Sequence, residues 1–270
     1  MNLSLNLRAM VGRAYPRLIG ANREPSWIFY ETFLPVLTTA AYVCIYKALD
    51  APKEFVGFVV IGGVMTAYWM NVLWSMAAQL YWEKEVGNLQ LYMIAPMSKM
   101  ALLAGMAIGG LFTTSTRALV ILTAGIYIFK VDVDVSSITH LLLVFFLTLG
   151  ALYGLGMLFS SLYLLWGREA WHLSNLLQEP VYLVSGFYFP VRKLGFSLAL
   201  AASILPTTLG LDSMRQLLFP GAHTWRILTV EIETKILAIL TIVFILLAKY
   251  ALDHVEKVAR REGRLIMRWQ

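Results

Sequence analysis

The sequence predicts an all-α integral membrane protein: six transmembrane helices, an N-terminal amphipathic interfacial helix, and an outer re-entrant hairpin between spans five and six. Three observations predict it. Hydrophobic residues make up 59% of the chain and charged residues 14%, where a soluble domain carries roughly a quarter charged. Long stretches lack Asp, Glu, Lys and Arg altogether, namely Phe55–Trp82, Met100–Thr116 and Val135–Gly167. About twenty apolar residues cross a hydrocarbon core, so runs of this length read as membrane spans. The third observation is an uneven distribution of Lys and Arg between alternate connections.

The spans read as Trp27–Lys47, Phe55–Tyr81, Met100–Phe129, Ile138–Trp166, Ala170–Phe189 and Ile227–Leu252. Leu194–Leu211 is also free of formal charge, but it is barely long enough to cross, and Pro206 and Gly210 interrupt it. Basic residues choose between six spans and seven. With six, the cytoplasmic parts hold 13 Lys and Arg and the outer parts 7. With seven, the basic tail from Lys249 onward would lie outside, against the positive-inside tendency. Both termini are therefore expected in the cytoplasm. Leu194–Leu211 is expected to turn back, its non-helical backbone shielded by protein or a wet cavity. Residues 1–270 form one transmembrane domain, with an amphipathic helix at 1–25, a cytoplasmic loop at 82–99 and the outer hairpin at 190–226.

The N-terminal 25 residues are mixed and basic, which does not resemble a cleaved leader. Leu3, Leu7, Met10, Val11 and Leu18 fall near one helical face, while Arg8, Arg13 and Arg17 are placed to reach lipid phosphates. Pro16 should kink this helix. The lone Cys44, inside an apolar run, is expected to be a buried, inert thiol. The net charge of +6 is explained by basic residues at cytoplasmic ends, with no nucleic acid required.

Several chemistries lack their residues. There is no GxxxxGK[ST] loop to cradle the phosphates of ATP. Gly105, Gly109 and Gly110 lie in a predicted span without that lysine, and their spacing, like that of Gly150 and Gly154, suits close helix packing. His140, His172, His223 and His254 are scattered without metal-ligand spacing, and no GxSxG elbow occurs. No catalytic residue, metal site or cofactor is expected in this chain.

The loop Tyr81-Trp-Glu-Lys-Glu-Val-Gly-Asn-Leu-Gln-Leu-Tyr-Met-Ile-Ala-Pro-Met-Ser-Lys99 begins charged, passes Gly87 and becomes amphipathic. Leu89, Tyr92 and Met93 share one helical face, which predicts a short surface helix. A connecting turn would need fewer residues and no apolar side chains. The Glu-Lys-Glu-x-Gly start, the leucine-rich stretch and Pro-Met-Ser resemble the loop after the second span in ABC-2 type transporter permeases. Val184-Ser-Gly-Phe-Tyr-Phe-Pro-Val191, followed by Ile204-Leu-Pro206 and Leu211-Asp-Ser-Met-Arg215, is similar to a second recurrent pattern of that family.

The resemblance implies an export machine in the cell membrane, built from two permease halves and two cytoplasmic ATPase subunits. ATP and Mg would be bound by the ATPase partner. The second permease is expected to be an identical copy, with a related chain as the alternative. Trp82 to Leu91 would form the coupling helix that docks on the ATPase, with Trp82, Glu83, Lys84, Glu85, Gly87, Leu89 and Leu91 as its contact residues. Residues 1–25 would be a connecting helix along the inner leaflet. Phe187, Tyr188, Phe189 and Pro190 would close the exit. The chain is short beside family members that carry their own ATPase domain, and it has no segment resembling a carbohydrate-binding domain. Small lipophilic compounds, lipids and ions all remain as substrates.

Charges inside spans are costly and so are functional candidates. Arg117 lies deep in the third span and Glu179 mid-way along the fifth, directly before Pro180. They read either as an interhelical pair or as part of a substrate pathway. Glu31 is expected to snorkel or pair near the inner interface. Glu231, Glu233 and Lys235 mark the outer end of the sixth span. Tyr68, Trp69, Asn71 and Trp74 put polar and aromatic groups in a charge-free span, which nominates that face for a second copy; packing within one bundle is the alternative. Two competing functions remain open at this level. One is a membrane-embedded enzyme or assembly factor using Arg117 and Glu179. The other is an ion-coupled secondary transporter, although the second interrupted helix that inverted repeats would require is absent.

Overall fold

The computed structural model describes residues 3–21, 23, 25–166 and 168–261. Parts of the expected N-terminal helix (residues 1, 2, 22 and 24) and of the basic C-terminal tail (262–270) lie outside the described residues. Every regular element described is helical. In order these are α1 (Leu3–Ala21), α2 (Pro25–Ala48), α3 (Lys53–Met70), a π-helical turn at Asn71–Met76, α4 (Gln79–Glu85), α5 (Asn88–Ile94), α6 (Lys99–Tyr127), α7 (Ile138–Trp166) and α8 (Arg168–Ser185). After a 3-10 turn at Val191–Leu194 come α9 (Phe196–Ala202), α10 (Pro206–Leu218), a second 3-10 turn at Pro220–Trp225 and α11 (Val230–Arg261).

Among the described residues, four helices are long and apolar enough to cross a membrane: Lys53–Glu85, Lys99–Tyr127, Ile138–Leu164 and Val230–Val258. They coincide with the expected second, third, fourth and sixth spans. The pair α9 and α10, bent by 115°, makes a fifth if it is counted as one crossing. The expected first and fifth spans, α2 and α8, are helical but are not among the four. Within eighteen residues α8 carries Arg168, Glu169, His172, Asn175, Gln178 and Glu179, which dilutes its apolar character.

Small residues set the helix contacts. α7 and α11 run side by side in the same direction, Gly150 facing Thr241 and Gly154 facing Phe244 and Ile245. Thr241 Oγ1 also donates to the Leu147 carbonyl at 3.1 Å. In α6, Gly105 and Gly109 receive α1: a Cβ at Gly105 would meet the Met10 carbonyl, and one at Gly109 the Arg17 side chain. This is the close approach that small-xxx-small spacing permits. α1 is continuous through Pro16 and follows α6 in parallel. Asn6 Oδ1 accepts from the Ser98 amide at one end, and Arg17 lies against Gly109 and Gly110 at the other.

α1 is amphipathic as expected, but two of its three expected lipid-facing arginines turn inward. Leu3, Leu7, Val11 and Tyr15 are exposed, whereas Arg13 and Arg17 turn inward to hydrogen-bonding partners. In an apolar solvent the outward face is the greasy one, and the arginines seek the polar groups of the bundle. Cys44 is exposed on α2, not buried, beside the exposed Ile45.

The two ends of the bundle differ. At one, the 82–98 loop meets the start of α1, and Lys99 forms an ion pair with Glu256 of α11. At the other, the amides of Asp134 and Ser136 donate to the carbonyls of Leu218 and Leu217, at 3.1 and 3.0 Å. The segment 190–226 therefore sits at the end opposite the 82–98 loop. Every residue of α10 is buried, and Pro206 occupies its first turn, where its missing N–H costs nothing.

The tightest approach in the bundle is at Gly62, where an added Cβ would overlap the Phe187 carbonyl. Gly62→Val should destabilise the purified protein by about 1–3 kcal/mol, read as a fall in Tm. Gly12→Ala, whose Cβ would meet nothing within 4 Å, should show no fall. Equal Tm values for both variants would contradict this packing.

Candidate functional site

A cavity of about 330 Å³ opens between α1, α2, α6 and the π-helical turn. Its lining joins three arginines, Arg13, Arg17 and Arg117, to Glu31, Asn71, Ser75, Gln79 and Thr113. The π turn has a local role. Asn71 and Ser75 stand four residues apart on it and line the same wall, and such bulges recur at functional sites.

The polar groups are linked. Arg13 forms an ion pair with Glu83, and its Nη1 donates to the Tyr92 hydroxyl at 3.3 Å. Glu83 also accepts from Gln79 Nε2 at 2.8 Å and Asn88 Nδ2 at 3.2 Å. Arg17 donates to the Ser75 hydroxyl and, at 3.4 Å, to Gln79 Oε1. Burial pushes the Arg17 guanidinium below its ordinary range; Tyr153 and Glu31 oppose that shift, while Arg13 and Arg117 reinforce it. Arg117 forms an ion pair with Glu31. At the cavity floor Asn71 Oδ1 accepts from the Tyr153 hydroxyl at 3.1 Å.

The expected partner of Arg117 is thus corrected: it is Glu31 on α2, not Glu179. Glu179 is exposed on α8 and accepts from Gln178 Nε2 at 3.4 Å. Most of the face nominated for a second copy is covered within the chain. Tyr68, Trp69 and Asn71 are buried within the bundle. The Tyr68 hydroxyl lies 2.9 Å from Ser115 Oγ, and Trp74 Nε1 donates to Gln178 Oε1 at 2.9 Å. Tyr68, Asn71 and Trp74 thus find hydrogen-bonding partners inside one chain.

The 82–91 stretch is two helical pieces rather than one. Gly87, at φ 85°, separates the end of α4 from α5, a left-handed conformation that glycine adopts without a Cβ clash. Glu83 and Leu89 are buried and Lys84 is half-buried, while Trp82, Glu85, Val86, Gly87, Leu91 and Ile94 are exposed. Glu83 faces inward to α1, bonded to the cavity-lining Arg13 and Gln79, and is buried rather than on a free surface.

At the opposite end, Phe187, Tyr188 and Pro190 are buried and Phe189 half-buried. They form a plug against α2 and α3. Tyr42 stacks on Tyr188 with ring centroids 4.1 Å apart, and the Tyr46 hydroxyl donates to the Tyr188 carbonyl at 3.0 Å. Arg215, only 3% exposed, donates through Nη2 to the carbonyls of Phe58 and Phe187, both at 3.0 Å, and through Nη1 to that of Phe189 at 3.4 Å. Beside it, Asp212 accepts from the Ile227 amide at 2.9 Å and from Gln216 Nε2 at 3.0 Å. Glu233 is fully buried and accepts from Ser213, Gln216 and the Leu228 amide. Glu233 is therefore more than an end marker. It ties α10 to the start of α11.

Arg13, Arg17, Tyr153, Asp212, Arg215 and Glu233 carry this architecture, and none was singled out for it in the sequence. One signal was present: two opposite charges three residues apart, Asp212 and Arg215, in an otherwise uncharged apolar stretch. Charges in that setting call for buried partners.

The long apolar helices define a multi-pass membrane protein. The ABC-2 type transporter family model matches residues 17–219, and the chain belongs to that family. No curated protein and no solved structure matches it.

The Arg13–Glu83 pair is 18% and 7% exposed, so removing one partner leaves a poorly hydrated charge. Arg13→Gln and Glu83→Gln should each destabilise the protein. The double variant should lose less than the sum, with a coupling of about 0.5–3 kcal/mol in a double-mutant cycle. Strict additivity would show that the pair contributes nothing.

Proposed function

We propose that this chain is the permease half of an ATP-driven exporter in the cell membrane. Its six spans are α2, α3 with α4, α6, α7, α8 and α11, and both termini are cytoplasmic. The observation that carries this reading is the placement of two features along one helix. The charged cavity lies at Asn71–Gln79, and the plug closes against Phe58 and Gly62. About 13 residues separate Gly62 from Ser75, roughly 20 Å along a helix. An open polar chamber at one end and a hydrogen-bonded seal at the other is one half-cycle of alternating access.

A separate ATPase, in two copies that bind ATP and Mg, would supply the energy. The exposed surface of Trp82, Glu85, Val86, Leu91 and Ile94 is the proposed dock. Gln79 and Glu83 link that loop to Arg17 and Arg13, so a push on α4 and α5 would reach the cavity directly. Opening the seal would require Arg215 to release the carbonyls of residues 187 and 189. A second copy of this chain would pack on α8 and α2. Leu176, Glu179 and Leu183 are exposed on α8, and Phe29 and Phe33 stack on α2 with centroids 5.1 Å apart. A carboxylate facing lipid at the helix centre costs about 2.5–3.5 kcal/mol on insertion scales, which favours a protein neighbour there.

Two experiments test the reading. Trp82→Ala combined with Leu91→Ser should abolish co-purification of the ATPase while leaving the Tm of the permease unchanged; retained binding would refute the dock. In a Cys44→Ala background, Ser197→Cys and His223→Cys should both react with an impermeant maleimide applied outside, and Glu85→Cys only from the cytoplasm. Labelling of Glu85→Cys and Ser197→Cys from the same side would refute the topology.

A further inference from the structure

We infer that the α1–α6 cavity is a binding site for a phosphate-bearing anion, the headgroup of an acidic amphiphile or a free phosphate, with Arg17 as its principal contact. This deepens the permease reading, on which it rests only for the further step of treating the bound anion as cargo.

Charge is the first argument. Among the described residues, the cavity lining and the groups paired to it bring together Arg13, Arg17 and Arg117 with two carboxylates, Glu31 and Glu83. Arg13 is matched by Glu83 and Arg117 by Glu31. Among the described residues, Arg17 hydrogen-bonds only to neutral groups, the Ser75 hydroxyl and the Gln79 side-chain oxygen, with Glu31 nearby but paired to Arg117. A cation held by neutral dipoles between two other arginines is a preorganised anion receptor. A guanidinium offers five donors, a fork that suits phosphate oxygens.

Position is the second argument. α1 descends alongside α6, and Arg17 lies against Gly109 and Gly110. That is about 16 Å along α6 from its first residue, Lys99, at the usual helical rise. The rim of the cavity carries Pro16 and Gly20, while the outward face of α1 shows Leu7, Val11 and Tyr15. An amphiphile could thus lay its chain along that apolar face and its headgroup in the cavity. Glycines 105, 109 and 110 let α1 approach closely enough to put Arg17 there, so the site is built and not a surface accident. Asn71, Ser75 and Thr113 complete a polar wall able to donate to the remaining oxygens.

The test uses the full chain, without an ATPase, in nanodiscs of zwitterionic phosphatidylcholine. The probe is a fluorescent lysophosphatidic acid, with the matching lysophosphatidylcholine as control. Saturable binding of the acidic probe, about tenfold or more tighter than the control, is expected. Arg17→Gln should remove that preference. Because this change also removes a tether of α1, a second variant is needed. A side chain at Gly20 would meet nothing within 4 Å, so Gly20→Glu adds a carboxylate at the rim without disturbing the packing. It should weaken the acidic probe severalfold and leave Tm unchanged. Displacement by inorganic phosphate would show that the phosphate group alone is recognised; failure to displace, with the preference intact, would assign the site to the whole amphiphile. Equal binding of both probes, or unchanged binding in Gly20→Glu and Arg17→Gln, would overturn the inference. Neither result would touch the permease reading, whose tests depend on the ATPase and on topology.

Discussion

Arg215 holds together the part of this protein that would otherwise be hardest to keep in a membrane. A helix satisfies its own backbone, and the bundle is built almost entirely of helices. The segment from Gly186 to Pro190 is not helical, yet it lies buried against α3. In hydrocarbon an unpaired carbonyl has no water to turn to, and each one costs several kcal/mol. One guanidinium from α10 gathers the carbonyls of Phe58, Phe187 and Phe189, so irregular backbone can sit where only regular backbone is normally stable. The consequences spread outward. α10 must be buried to place Arg215, and Asp212, Gln216 and Glu233 fasten α10 to the chain entering α11.

The other end of the bundle works by a different arrangement. There the polar groups are side chains, not backbone, and they form a chain of contacts from the 82–98 loop to the cavity. Asn88 reaches Glu83, Glu83 holds Arg13 and Gln79, and Gln79 holds Arg17. The π turn supplies Asn71, which Tyr153 of α7 reaches, and Ser75, which Arg17 reaches. Between the two ends lies a core that includes Met65, Tyr68, Trp69 and Met106, all nearly inaccessible. The molecule is thus polar at both ends of α3 and α4, with a packed apolar layer between them.

How much of this was legible depended on the range of the interaction involved. Charge-free runs located α3, α6 and α7 because crossing hydrocarbon is a local demand on about twenty consecutive residues. The glycine spacings in α6 and α7 announced close packing for the same reason. What they packed against was not local: Gly105 and Gly109 receive α1 rather than another span. The placement of Arg13 and Arg17 was misread because a basic amphipathic helix near a membrane usually offers its charges to lipid headgroups. Here Glu83, Ser75 and Gln79 compete for those charges and win, and all three lie about 60–70 residues away in sequence. Arg117 was recognised as needing a partner, but its choice of Glu31 over Glu179 depends on which helices touch. No single-helix pattern contains that information. The π turn was invisible too, since Asn71–Met76 reads as ordinary apolar helix.

The inward-facing arginines of α1 also constrain the order in which the molecule can be assembled. α1 is made before its groove, α6, and before its counter-charge, Glu83, which lies 70 residues downstream. Until that stretch has been synthesised, Arg13 and Arg17 have no partners in the bundle and must remain hydrated at the membrane surface. α1 therefore settles late. Its docking closes the cavity wall only after α3, α4 and α6 are in place, and a chain interrupted before α6 would leave two arginines and an apolar stripe without a seat. Such a fragment is the kind of stalled intermediate that membrane quality control could recognise.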